Sequence, residues 1–153
     1  MKTLKLYITE ALHVNKDTKL HHYNYHPKDR AELKELVKKL IKERGENADL
    51  NDIDTSEITD MSYLFYDTEF NGDISEWGVS NVGNMYAMFH NSKFNGDISK
   101  WNVSKVEDMR IMFSYSKFNG DISEWDVSNV KHMTRMFTNS PLEKNPPKWY
   151  KKK

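Results

Sequence analysis

The segment FNGDISEWGVSNVGNM that begins at Phe70 returns at Phe94 as FNGDISKWNVSKVEDM and at Phe118 as FNGDISEWDVSNVKHM, offset by 24 residues each time. A unit of this size cannot bury its own apolar side. An internal period of about 20 to 50 residues therefore predicts an array in which each copy covers the next.

The register extends past the three near-identical copies. Trp77, Trp101 and Trp125 continue to Trp149 and are preceded by Ile53. Met61, Met85, Met109 and Met133 share a column, as do Phe65, Phe89, Phe113 and Phe137. These columns predict an N-terminal capping region at 1–45, a four-coil array at 46–141, and a partial repeat with a basic tail at 142–153. The coils are a divergent first unit, 46–69, and three standard units, 70–93, 94–117 and 118–141. Apolar residues make up only 37% of the chain, but they fall in fixed columns, as a narrow array requires. The absence of cysteine removes disulfide frameworks and thiolate metal sites.

Spacing within a coil assigns its parts. Ile74, Trp77 and Val79 stand as apolar-x-x-apolar-x-apolar, the strand pattern of a leucine-rich repeat. Val82, Met85, Met88 and Phe89 follow at i, i+3, i+6 and i+7, one face of a short helix. Ser80, Ser104 and Ser128 stand where its N-cap belongs, and Ser104 with Glu107 makes a capping box. Asn-Gly pairs at 71, 95 and 119 supply a turn with positive φ before each strand. The expected fold is an α/β solenoid, leucine-rich-repeat-like, with a short strand and a short helix in each 24-residue coil and a helical N-terminal cap.

The units FNGDISEW, VSNV and NMYAMF resemble the BspA-like repeats, a leucine-rich-repeat variant of surface proteins and lipoproteins in Bacteroidetes, mycoplasmas and lactobacilli. The resemblance covers about residues 46–149. It implies a scaffold for adhesion or protein binding without a catalytic site. One departure is that Val82, Val106 and Val130 replace the usual Asn or Cys, so no buried asparagine ladder is expected.

The cap is predicted as an amphipathic helix over about 30–44. Leu33, Leu36, Val37, Leu40 and Ile41 form its apolar face, Asp29 and Glu32 its capping pair, and Gly45 its end. Leu4, Tyr7, Ile8, Ala11 and Leu12 suggest a second short helix, with strand alternation as the alternative. Residues 1–14 contain no unbroken apolar run, there is no Cys to lipidate, and no stretch is long enough to span a membrane. An intracellular or virion-associated protein is expected, or a cell-surface one if a leader was removed.

Charge is segregated. Residues 1–45 carry a net +5, residues 46–141 a net −9 and residues 142–153 a net +4. On the leucine-rich layout Asp52, Asp54, Glu76, Glu124 and Asp126 point outward, with Lys100 among them. They form either a docking face for a basic partner or a solvated face with pairs across coils. The second candidate face varies between coils: Tyr63, Ala87, Ile111 and Arg135 in one column, Ser62, Tyr86, Arg110 and Thr134 in the next, with Tyr66, His90 and Tyr115 nearby. Tyr and Arg are interface anchors, although unconstrained drift produces the same variation. Candidate partner-binding residues are thus Asp52, Asp54, Glu76, Glu124, Asp126, Tyr63, Tyr86, Arg110, Arg135 and Tyr115.

Catalytic signals are poor. His13, His21, His22 and His26 cluster without acidic or Cys partners among the last three, which disfavours zinc. Asp73, Asp97 and Asp121 belong to turns, where Asp accepts backbone hydrogen bonds more simply than it binds calcium. No nucleophile elbow, phosphate loop or dinucleotide fingerprint occurs. The cationic KWYKKK end suits a solvated terminus or a phosphate contact. The sequence points to a non-enzymatic protein-interaction module with no cofactor and no metal. The partner is a protein rather than nucleic acid, and an oligomer stays open. A phage-encoded inhibitor that mimics nucleic acid with its acidic rod and a cell-surface adhesin fragment are the alternatives.

Overall fold

A computed structural model describes residues 22–151. The second short helix expected near residue 8, His13 and His21, and the last two lysines lie outside the described residues. Within them the chain has one α-helix, α1 (Arg30–Arg44), a 3-10 turn at Pro141–Glu143, and no strand. The strand-and-helix coil expected from the spacing is therefore not formed. The 24-residue units do lie in register against one another, joined by isolated parallel bridges at Asp49–Asp73, Asp60–Asn84, Asn84–Asp108 and Asp108–His132.

Each coil is a run of tight turns. The Trp77, Trp101 and Trp125 N–H groups donate back to Ile74, Ile98 and Ile122 (3.2, 3.2 and 3.3 Å), so the supposed strand doubles back on itself. Met88 N–H donates to the Met85 carbonyl and His90 N–H to that of Ala87, both at 3.2 Å, where a helix would bond across four residues. Between these turns the chain enters the left-handed region in two columns: Tyr63, Ala87, Ile111 and Arg135, then Asp67, Asn91, Tyr115 and Asn139. That alternation aims every second N–H at the next coil. In coil two Met85, Ala87, Phe89 and Asn91 donate to Asp108, Arg110, Met112 and Ser114 at 2.9 to 3.1 Å, and coils one and three repeat the pattern.

Ile111 is the costly member of this set, because a β-branched side chain at φ 49° crowds its own backbone. Its side chain is only half-buried. Ile111→Asn is therefore expected to stabilise the protein by about 1 kcal/mol, read as a higher urea midpoint at unchanged slope; a lower midpoint would show that Ile111 packing outweighs the strain.

Corners are closed by Asx side chains. Asp73, Asp97 and Asp121 accept the N–H of Ser75, Ser99 and Ser123 at 2.9 Å. Asn102 accepts both the N–H and the hydroxyl of Ser104, so that serine closes a turn and caps no helix. These bonds favour the ionised carboxylate. The Ser75 amide and then its hydroxyl hold the Asp73 carboxyl below its ordinary range, the Ser99 hydroxyl and amide do so for Asp97, and the Ser123 amide for Asp121. A carboxylate with depressed folded pKa contributes stability above its unfolded value and loses it as pH falls through the folded one. Stability should stay level from neutrality to about pH 5 and drop below about pH 4; an acid-side urea series showing no drop would contradict this.

The Asn-Gly glycines serve close approach rather than positive φ, which among described glycines occurs only at Gly45. A Cβ on Gly72 would stand 2.0 Å from the Ala48 carbonyl oxygen and 2.6 Å from the Phe70 ring. Interior packing is aromatic and continuous. Phe65, Phe89, Phe113 and Phe137 stack at 5.5, 5.5 and 5.9 Å, and Phe70, Phe94 and Phe118 form a second column at 6.2 Å spacing. Such offset stacks add about 0.5 to 1.5 kcal/mol per pair beyond burial. Each indole then stitches its coil to the preceding one: Trp77, Trp101, Trp125 and Trp149 Nε1–H donate to Leu50, Ile74, Ile98 and Ile122 at 2.9 to 3.2 Å.

Helix α1 begins at Asp29, whose carboxylate accepts the Glu32 N–H, and ends at Gly45 with φ 94°. It buries Leu33, Val37 and Leu40. Ahead of it, Tyr25 pairs with Ile53, and the Asn24 N–H donates to the Asp52 carbonyl. At the other end Trp149 and Tyr150 lie against Phe137, at 6.2 and 4.9 Å. Burial raises the Tyr150 phenol above its ordinary value.

Candidate functional site

Between the inward-pointing Met and Phe columns, the turn runs leave the left-handed Tyr63, Asp67, Asn91, Tyr115, Arg135 and Asn139 exposed, whereas Ala87 is buried and Ile111 half-buried. On this face the large apolar side chains left exposed among the described residues come together: Tyr63, Tyr66 and Tyr115. Tyr63 meets Tyr66 edge-on at 5.5 Å and Tyr86 at 5.1 Å. Tyr66 stacks on His90, one coil later in the same column, at 5.2 Å and 7°. His90 in turn contacts Tyr115 at 5.6 Å. Arg110 lies 5.1 Å over the Tyr86 ring, a cation–π contact. The result is one connected surface running from Arg110 through Tyr86, Tyr63, Tyr66 and His90 to Tyr115.

Its charged end is fixed in place. Arg110 Nη2 donates to Asp108 Oδ2 at 2.6 Å, and Nε contacts both carboxylate oxygens at 3.1 Å. Burial is the largest single influence on the Asp108 carboxyl and raises it, but the hydrogen bonds from the Arg110 side chain and backbone, with the Arg110 and His132 charges, together outweigh burial and hold the group below its usual value. Arg30 of α1 reaches the same neighbourhood, donating from Nε to the Ser62 carbonyl at 2.6 Å. A hydrogen bond with the Tyr86 hydroxyl raises the Tyr63 phenol above its usual value. The His90 Nδ1 is buried without a hydrogen-bond partner, which leaves ring contacts to position that imidazole.

The acidic candidates divide differently. Asp52 is gripped by Arg44 through two 2.9 Å bonds and by Asn24 Nδ2 at 2.8 Å, which holds its carboxyl below the usual range and fastens the cap to coil one. Asp54 accepts the Ser56 N–H and faces His26 Nδ1 at 3.3 Å. Asp126 closes a turn on Ser128. Glu76 and Glu124 are exposed. Asp52, Asp54 and Asp126 therefore have structural occupations. Arg135 is exposed on coil four with no ring contact to the tyrosines among the described residues. Tyr66 and His90, noted in the sequence beside the varying columns but not counted among the candidate residues, complete the aromatic surface. No group of three or more His, Asp or Glu that could hold a metal is gathered among the described residues. No helix among them is long and apolar enough to cross a membrane.

Residues 32–149 match the family described as Mycoplasma protein of unknown function, DUF285. The chain belongs to that family. The match takes in most of α1, all four coils and Trp149, so the whole aromatic surface lies inside the DUF285 region. No curated protein and no solved structure matches the chain.

Proposed function

We propose that this DUF285 protein is a non-enzymatic protein-binding module that docks its partner on the Tyr63, Tyr66, Tyr86, His90, Arg110 and Tyr115 surface. The supporting observation is that every large apolar side chain left exposed among the described residues belongs to one ring network, anchored by an arginine that is itself held rigid. Rigid aromatics and Arg lose little entropy on binding and dominate interface energetics. The resemblance of the 24-residue units to BspA-like repeats agrees with a binding role. The acidic-rod alternative is less well supported, because Asp52, Asp54 and Asp126 are spent on the fold.

The test is a Tyr63→Ser, Tyr66→Ser, Tyr115→Ser variant used as bait beside the native chain in lysate from the source cell. A partner bound stoichiometrically by the native chain should lose affinity by about 100-fold or more, the loss expected of one to two interface anchors, while circular dichroism and Tm stay the same. Equal retention by both baits would rule this face out.

A further inference from the structure

The three Asn-Gly pairs stand in one repeated hexapeptide, FNGDIS, at Phe70, Phe94 and Phe118, so their intrinsic chemistry is the same and only their surroundings differ. In each pair the glycine has no Cβ to shield its nitrogen, and its N–H has no acceptor among the described residues. The asparagine carboxamides are where the pairs diverge. Asn71 Oδ1 accepts the Asn95 N–H and Asn95 Oδ1 accepts the Asn119 N–H, both at 2.8 Å, which pins each of these side chains to the following coil. The Asn119 carboxamide has no hydrogen bond among the described residues. One period on from Asn119 is Glu143, whose N–H is drawn into the 3-10 turn at Pro141–Glu143 and donates to the Ser140 carbonyl at 3.1 Å instead.

Water reaches this third pair. A cleft of about 590 Å³ is lined by Asn119, Gly120, Asp121, Ser123 and Lys148, and Asn119 is exposed. Packing around the glycine is also looser. A Cβ on Gly72 or Gly96 would meet a carbonyl oxygen of the preceding coil at 2.0 or 3.1 Å, whereas the three atoms nearest to one on Gly120 all belong to the Phe118 ring.

We propose that Asn119–Gly120 is a site of spontaneous self-modification, converted to aspartate or isoaspartate through a cyclic imide, and that the stack protects Asn71 and Asn95 from the same reaction. The Gly120 N–H gives its proton to hydroxide or water, and its nitrogen attacks Asn119 Cγ. That bond closes the imide as the Cγ–Nδ2 bond breaks and ammonia leaves, taking a proton from water. A second water then opens the ring at either carbonyl. An unbonded carboxamide is free to bring Cγ onto the glycine nitrogen, the proximity this step needs, while a pinned one must first give up its bond to the next coil. Both products place a new negative charge in the cleft beside Asp121, and isoaspartate also lengthens the main chain of coil four by one methylene. This site is independent of the tyrosine surface.

Warm incubation of the full chain at mildly alkaline pH, followed by peptide mapping with mass spectrometry, compares the three pairs in one sample. Asn119 should convert at least about 5-fold faster than Asn71 or Asn95, the ratio set by one hydrogen bond of roughly 1 kcal/mol. Aspartate and isoaspartate should both appear there, and hydroxylamine, which cleaves cyclic imides, should cut the chain at the same pair. In concentrated urea the three pairs should react at equal rates, because their flanking residues are identical. Equal rates in the folded chain, faster conversion at Asn71 or Asn95, or an inert Asn119 under conditions where the unfolded chain reacts would each overturn the proposal. So would aspartate forming at position 119 with neither isoaspartate nor a hydroxylamine cut, which would make the reaction direct hydrolysis.

Discussion

Gly72→Ala is expected to cost about 3 kcal/mol or more, or to prevent folding, because the added methyl meets backbone rather than a side chain that can turn away. Its Cβ would lie 2.0 Å from the Ala48 oxygen, which also accepts the Asp73 N–H at 3.0 Å. Relief by moving the coils apart would break that rung and the neighbouring bond from Asn71 to Glu46. Relief by moving the Phe70 ring, 2.6 Å away, would unseat it from Phe65 and Phe94. Gly83→Ala is the matched control. Its nearest neighbour is 3.9 Å away, so a change between neutral and about 1 kcal/mol stabilising is expected from reduced freedom of the unfolded chain. Urea denaturation of the two variants checks the contrast, and equal midpoints would contradict the close approach of coils one and two.

Phe113→Ala carries the second large effect, about 3 to 5 kcal/mol. Phe113 is fully buried between Phe89 and Phe137, with Phe118 at 4.4 Å and Trp125 at 6.4 Å. Its truncation opens both phenylalanine columns at the junction of coils three and four. Since domains of this size are stable by only about 5 to 15 kcal/mol, the variant should remain folded in water with a much lower midpoint. Hydrogen exchange should show coil four losing protection before coil two, because among the described residues coil four is covered on one side by the partial repeat alone. Tyr115→Ala, two residues away but exposed, should change stability by no more than about 0.5 kcal/mol. A Phe113 variant as stable as the Tyr115 variant would mean that the columns do not hold the coils together.

The columns of Phe, Met and Trp were readable from the repeat, and α1 from its apolar stripe and Asp29, Glu32 and Gly45. The local conformation was not. Met85 and Met88 are three apart in a helix face and equally in a turn closed from Met88 N–H to Met85, so spacing alone cannot separate them. What separates them is the left-handed residue between, which at Tyr63, Ala87, Ile111 and Arg135 carries no sequence mark, since these are not the residues that favour positive φ. The Asn-Gly pairs misled in the opposite sense, because the glycine answers to a carbonyl one coil away and not to its own torsion. At the candidate site, variation between coils singled out Tyr63, Tyr86 and Arg110, and Tyr115 was noted beside those columns with Tyr66 and His90. Their connection through Tyr66 and His90 depends on the coil-to-coil distance, which stacking sets. The tie of Asp52 to Asn24 was hidden because it joins segments on either side of α1, and its tie to Arg44 because it depends on how the end of α1 meets coil one.

Scalar couplings transmitted across hydrogen bonds, from amide nitrogen to carbonyl carbon, test the stacked-turn arrangement most directly. The Phe89 and Ala87 amides should couple to the carbonyls of Met112 and Arg110, residues of the following coil. Couplings from those amides to carbonyls four residues earlier in their own coil would contradict the account and restore the short helix.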